Sequence, residues 1–149
     1  MNQRVLTPVL DADEINELLK TVYPQLNADM EAYRALEVFP GGCVVRLDAT
    51  EKHLRPGNTV SGPSLFTLAD IGGYVCVLSH AGPDALSVTT NLNINFMRKA
   101  EAGPIDGRCR ILKLGRSLMV FDIEMVAGPD KAVVAHATGT YSIPPKREK

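Results

Sequence analysis

Three absences bound the reading of this 149-residue sequence. Neither sign of charge is in excess, since 16 Lys and Arg against 17 Asp and Glu leave a formal net charge of −1. A chain so balanced carries no electrostatic signature for nucleic acid or an anionic membrane surface, and neither is expected as a partner. The three cysteines, Cys43, Cys76 and Cys109, are evenly spread with no close pair. That spacing argues against a disulfide framework and against a zinc site, so no metal is expected. No apolar run approaches the roughly 18 residues needed to span a bilayer, and the opening MNQRVLTPVLDADE lacks the apolar core of a signal peptide. Repeats, low-complexity tracts and internal linkers are missing as well. A soluble, cytoplasmic protein with one core is the expectation, at a length that can bury that core without staples.

What is present is organised around Ser61–Gly82, SGPSLFTLADIGGYVCVLSHAG. Its middle is apolar on nearly every side, which predicts a helix wrapped by the rest of the domain. Ser61 can cap it, Pro63 suits its first turn, and Gly82-Pro83 stops it. His80, near the end, is placed to favour the helix dipole. Asp70 stands at the centre of the run, where a buried unpaired carboxylate would be expensive. Gly72 and Gly73 follow, each weakening a helix by about 1 kcal/mol relative to Ala. Helical spacing puts Thr67, Asp70, Gly73, Tyr74 and Val77 on one stripe, so Gly73 clears space beside the carboxylate. The competing structural reading is that this space admits a packed strand or a second copy of the same helix.

The remaining chain reads in order. Asp11 and Glu14 can form a capping box, with Ile15, Leu18, Leu19 and Val22 as the apolar stripe of an amphipathic helix closed by Pro24. That helix is expected on the outside of the fold, with residues 1–34 a helical extension and 35–149 the main unit. Leu36–Phe39 and Cys43–Leu47 read as strands about a Pro40-Gly41-Gly42 turn. A polar loop, His53–Val60, feeds the central helix. After Pro83 the period becomes two: Leu86, Val88, Thr90, Leu92, Ile94 and Phe96 alternate with polar residues. Ile105–Leu114, a strand carrying Met119, Phe121, Ile123 and Met125, and Ala132–Ile143 complete four antiparallel strands joined by tight turns. Pro144-Pro145 and the charged residues beyond read as a frayed end. An α+β domain follows, a long antiparallel meander curled around one helix, with edges suited to a second subunit.

Gly62–Asp70 (GPSLFTLAD), Asn91–Ala100 (NLNINFMRKA) and Leu114–Ser117 (LGRS) resemble the hot-dog acyl-CoA thioesterases of the phenylacetate-degradation type. The likeness runs from about Leu36 to Ile143. It implies a curved antiparallel sheet around the helix. It implies also a homodimer built by edge-to-edge sheet extension, often a dimer of dimers, with an active site shared between subunits. By this likeness Asp70 is the catalytic carboxylate, as nucleophile or general base. Gly62 falls where a backbone N–H polarises the thioester carbonyl, and Thr89 where a hydroxyl holds the water or the acid. Where the family carries His-Gly-Gly, this chain has Ser61-Gly62-Pro63, and Pro63 has no N–H. Arg55 aligns where many members place an Asn, a position Asn58 could fill from a reshaped loop.

The chemistry can be argued without the family. Thioester hydrolysis needs a donor to the carbonyl, a base or nucleophile, and a slot for the acyl chain. Helix N-termini present oriented N–H groups, which suits Gly62. An acid among apolar neighbours needs donors to stay ionised, and Asn58, Ser61 and Thr89 are the candidates. Each has a plain structural alternative, as turn residue, cap and strand filler respectively. Leu65, Phe66, Tyr74, Phe96 and a partner chain are expected to wall the acyl slot. Arg98, Lys99 and Arg116, at strand ends, are candidates for the phosphates of coenzyme A, or else solvated charges. Coenzyme A would enter as part of the substrate and no separate cofactor is expected. Two alternatives stay open: a non-catalytic acyl-CoA-binding module, which would show ligand-dependent melting shifts without thiol release, and a dehydratase or hydratase. For the latter, His53 with Pro56-Gly57 faintly resembles the His-x-Pro-Gly entry of acyl-carrier dehydratases; a 3-hydroxyacyl product from crotonyl-CoA would mark it.

Overall fold

The expected capping box opens α1 (Ala12–Val22). The Glu14 N–H donates to Asp11 Oδ1 at 2.8 Å and the Asp11 N–H to Glu14 Oε1 at 3.1 Å. Its apolar stripe buries Ile15 and Leu19. From its flank Asn16 clamps the backbone of Ala35, donating to its carbonyl at 2.8 Å and accepting from its N–H at 2.9 Å. The protein is described from a computed structural model covering residues 6–27, 32–83 and 86–145. The expected frayed, charged end falls on 146–149, outside the described residues.

A short 3-10 turn (Pro24–Asn27) leads to the hairpin β1 (Tyr33–Phe39) and β2 (Gly42–Ala49). A second 3-10 turn (Glu51–His53) and two short paired strands, β3 (Leu54–Arg55) and β4 (Thr59–Val60), deliver the chain to α2 (Gly62–Ala81). Four longer strands follow: β5 (Val88–Phe96), β6 (Gly103–Leu114), β7 (Leu118–Ala127) and β8 (Ala132–Ser142). Six strands make one antiparallel sheet in the order β1-β2-β6-β7-β8-β5. This corrects the expectation of a four-strand meander. Only β6, β7 and β8 follow one another; β2 occupies the other side of β6, with Cys43 opposite Cys109, so β5 pairs with β8 instead. The two sheet edges differ. Asn16 covers β1 at Ala35, whereas among the described residues β5 has no neighbouring strand on its far side.

The inner face of the sheet grips α2. Leu68, Val75, Val77 and Leu78 are sealed against Val45, Leu47, Ile105, Phe121, Ile123 and Met125. Each such side chain contributes about 1.5–3 kcal/mol by leaving water. By length and composition α2 would reach across a bilayer, contrary to the sequence expectation, but 72% of its most apolar window is buried within the fold. His80 does not simply decorate the helix end: it is buried, and its Nε2 accepts from the Gly41 N–H at 3.0 Å, stitching the β1–β2 turn to α2. On the outer face, charged side chains pair across strands, as Arg46 does with Asp106 and Asp122 with both Arg110 and His136.

Two sequence features resolve into packing. The fold brings the three cysteines, distant in sequence, together in the core between β2, α2 and β6. Cys43 Sγ lies 3.5 Å and Cys109 Sγ 3.3 Å from Cys76 Sγ. All three are free and fully buried, and they pack among the apolar side chains of the core. Gly72 and Gly73 admit the sheet. A Cβ on Gly72 would stand 2.6 Å from Ile123 Cδ1; one on Gly73 would stand 2.4 Å from Phe121 Cζ and 2.8 Å from Tyr141 Cε1. Gly73→Ala is therefore expected to lower stability by up to about 2 kcal/mol, since overpacking of about 1–3 kcal/mol is offset by a gain of about 1 kcal/mol in helix propensity. Urea unfolding of the two proteins measures it; an Ala variant as stable as the parent would mean that the rings yield freely.

Candidate active site

Asp70 leaves α2 at its midpoint, half-buried, and faces a cavity of about 450 Å³. Two hydroxyls hold one carboxylate oxygen. Thr89 Oγ1 donates to Asp70 Oδ1 at 2.5 Å, and Tyr141 Oη lies 2.7 Å from the same oxygen and 2.9 Å from the Asp70 backbone carbonyl. The acid that looked unpaired in the sequence thus has two hydroxyl partners on one oxygen.

The position of Thr89 has a local cause. Strict alternation along β5 would put Thr89 on the face of Asn91 and Asn93, away from Leu92 and Ile94. The pairing of β5 with β8 slips between Thr89 and Asn91, leaving Thr90 as an extra residue. This bulge resets the alternation and turns the Thr89 hydroxyl toward α2. Tyr141 is the cross-strand partner of Thr89, so both side chains point to the same side of the sheet.

Tyrosines build the rest of the wall. The chain has four, and Tyr23, Tyr74 and Tyr141 all line this cavity, with Phe66 at the rim. Tyr74 stacks on Tyr141 at 6.0 Å, and Tyr23 meets Tyr74 edge-on at 6.2 Å. Burial, then the charge of Asp70, raises the Tyr141 phenol above its ordinary range, so it stays protonated and able to donate. Val22, Tyr23 and Leu26 come from the end of α1 and the turn after it. The end of α1 and the turn after it therefore form one wall of the cavity. Sequence reasoning missed Tyr23 and Tyr141. The available signal was their type, an aromatic ring with a polar tip in a chain with no tryptophan and few aromatics.

The other site residues named from sequence sit at the entry of α2. Ser61 is the N-cap, accepting from the Ser64 N–H at 3.3 Å. Gly62 is the first helical residue, in contact range of the Phe96 ring. Asn58 occupies the β3–β4 turn with φ 61°, and its N–H reaches the Arg55 carbonyl at 3.0 Å. Eight residues of helix separate Gly62 from Asp70, about 12 Å of rise. Within one chain, then, Asp70 meets Thr89 but not Gly62, Ser61 or Asn58. Arg98 and Lys99 line a second, larger cavity of about 630 Å³ together with Arg46 and Lys131, and Arg98 stands 4.0 Å from Asp130. Arg116 is not with them. It is exposed in the β6–β7 turn, at the other end of β8, where Ser117 accepts from the Ile143 N–H. Of the two remaining histidines, His53 is tied to the Thr50 N–H at 2.9 Å and burial lowers its pKa, while His136 pairs with Asp122.

One apolar helix held in a six-stranded antiparallel sheet, with a single acid opening from the helix into a cavity, defines the hot-dog class. Comparison with known proteins gives the family. The model of the Thioesterase superfamily matches residues 57–134, just over half of the sequence, and the chain belongs to that superfamily. It is 45% identical to a Silicibacter protein described as a "putative thioesterase", whose crystal structure superposes with a TM-score of 0.84 over 94% of this chain and 96% of that one. A Pseudomonas aeruginosa protein named "putative esterase" is 34% identical over 103 residues, 68% of this chain and 75% of its own. The phenylacetic acid degradation protein of Thermus thermophilus shares the fold, with a TM-score of 0.68 over 80% of this chain and 97% of that one, at 24% identity. Together these relatives support a thioesterase-type hydrolase.

Proposed function

We propose that this protein is an acyl-CoA thioesterase, of the type found in phenylacetate degradation, and that Asp70 is the group that attacks the thioester or activates water for the attack. The observation that carries the proposal is Asp70 itself, half-buried, held through one oxygen by two donors and facing a cavity large enough for an acyl group. In hydrolysis a water oxygen bonds to the acyl carbon, the C–S bond breaks, and the water proton ends on the departing thiolate, giving a carboxylic acid and free coenzyme A. The reaction as proposed draws on water and on the protein's own side chains.

The carbonyl donor is proposed to come from a second copy. About 12 Å of helix keeps Gly62 and Asp70 of one chain from acting on the same carbonyl. The uncovered edge of β5 suggests how two copies meet. Leu86, Val88, Phe96 and Met97, on or beside that strand, are all more than half exposed, an apolar edge that a second copy would cover. Antiparallel pairing of two β5 strands about their middle brings the Phe96 end of one copy, with its Gly62, against the Thr89 end of the other, with its Asp70. The same pairing carries Arg98 and Lys99 of one copy toward the end where Arg116 of the other lies, a basic rim suited to the phosphates of coenzyme A.

Tyr23 is proposed to set how long an acyl group fits. Tyr23→Ala opens the far wall of the cavity and is expected to raise kcat/KM for longer acyl-CoAs by about tenfold relative to short ones. A chain-length series on both proteins measures it, and an unchanged preference would remove Tyr23 from the acyl wall. A panel of aliphatic and aromatic acyl-CoAs with a thiol reagent, run beside melting curves, tests the function as a whole. Thiol release supports hydrolysis; melting shifts without thiol release would mean a binding module instead.

A further inference from the structure

The proposed hydrolysis leaves open which oxygen of Asp70 reacts, and the geometry decides between the two. Both hydroxyls in reach, Thr89 Oγ1 at 2.5 Å and Tyr141 Oη at 2.7 Å, converge on Oδ1. Among the described residues Oδ2 has no hydrogen-bond partner. We infer that Tyr141 is a positioning residue, which together with Thr89 immobilises Oδ1 so that Oδ2 is the oxygen presented to substrate; this rests on the thioesterase reading of the site.

Several features fit Tyr141 for that work. Its ring is 3% exposed and fixed on two sides, stacked on Tyr74 and tilted against Phe121. Gly73 is what lets the ring come so close to α2, since a Cβ there would stand 2.8 Å from Tyr141 Cε1. The phenol also lies 2.9 Å from the backbone carbonyl of Asp70, so it registers the helix as well as the side chain. A carboxylate held through one oxygen keeps the lone pairs of the other free and aimed, where an unheld one would rotate. If Asp70 is the base, Oδ2 takes the proton of the attacking water and returns it to the thiolate. If it is the nucleophile, Oδ2 bonds to the acyl carbon as the thiolate leaves, and water then cleaves the anhydride.

The groups facing Asp70 are few. Tyr74 comes from its own helix, Tyr141 from β8, Thr89 and Ser87 from β5 and the segment before it, and Tyr23 from the end of α1. Among the described residues lining the cavity, Asp70 is the only carboxylate, and no Lys, Arg or His joins it. Removing one donor therefore has a readable effect. The carboxylate loses one of the two bonds that hold Oδ1 and turns more freely, so the rate falls while binding is kept.

The experiment uses Tyr141→Phe in the full chain, which keeps the ring and removes only the hydroxyl. With phenylacetyl-CoA and a thiol reagent, kcat is expected to fall about tenfold with KM within twofold, the pattern of lost positioning and not of lost binding. The carboxyl carbon-13 resonance of Asp70 is expected to shift in the variant, because the carboxylate has lost one of its two donors. Wild-type kcat with an unmoved carbon-13 resonance would overturn the inference. Should the parent protein release no thiol from any acyl-CoA, the thioesterase reading fails by itself. The carbon-13 shift then decides the hydrogen bond alone, and an unmoved resonance in the variant rejects it. Thr89→Val, which removes the other donor to Oδ1, is expected to act in the same direction. If Tyr141→Phe does not fold, wild-type kcat in Thr89→Val overturns the inference.

Discussion

Replacing Asp70 by Asn is expected to lower thiol release from acyl-CoA by about 10³-fold, within the range for loss of a general base or nucleophile. The change is nearly isosteric, and the amide oxygen can still accept from Thr89 and Tyr141. The fold and the oligomer should therefore persist, with a melting temperature close to the parent's, which isolates the chemistry from stability. Steady-state kinetics beside melting curves and gel filtration makes the measurement. Undiminished turnover would take Asp70 out of the mechanism and leave the cavity as a binding site.

Gly62→Pro supplies the second large effect. Gly62 is the first residue of α2, where proline is favoured, and Ser61 before it has φ −70° and ψ 150°, compatible with a following proline. The substitution removes one N–H and adds a ring whose Cβ would stand 3.3 Å from Phe96 Cζ, at the end of an exposed side chain with room to shift. If that N–H polarises the thioester carbonyl, kcat is expected to fall about 10²-fold. Mixing then tests the shared site. Co-expressed Asp70→Asn and Gly62→Pro chains pair at random, and each mixed dimer rebuilds one site from an intact Asp70 and an intact Gly62. About one quarter of the parent activity should return. Two chains that never rescue each other would mean that each site is built from one chain, against the helix geometry that separates these residues by about 12 Å.

These expectations rest on features with different origins. The helix across Gly62–Ala81 was legible in the sequence because its boundaries are written in local chemistry: Ser61 caps, Pro63 starts and Gly82 stops. So was the alternating face of β7, where Met119, Phe121, Ile123 and Met125 are all fully buried. Asp70 stood out for the same reason, as a charge in an apolar run. Other features were not legible. The three cysteines look unrelated along the chain and touch in the core, because β2, α2 and β6 meet there. The place of β5 beside β8 was hidden too, since neighbours in sequence pair by default and only the prior claim of β2 on β6 sends β5 across the sheet.

The sequence by itself determined the kinds of element, their ends and the one acid worth watching, since propensity, capping and periodicity act over a few residues. Only the tertiary structure decided what that acid meets. Tyr141 lies 71 residues from Asp70 in the chain, and Tyr23 reaches the cavity from another element altogether. Neither is foretold by local pattern, because a single bulge in β5 and a missing Cβ at Gly73 fix which side chains converge.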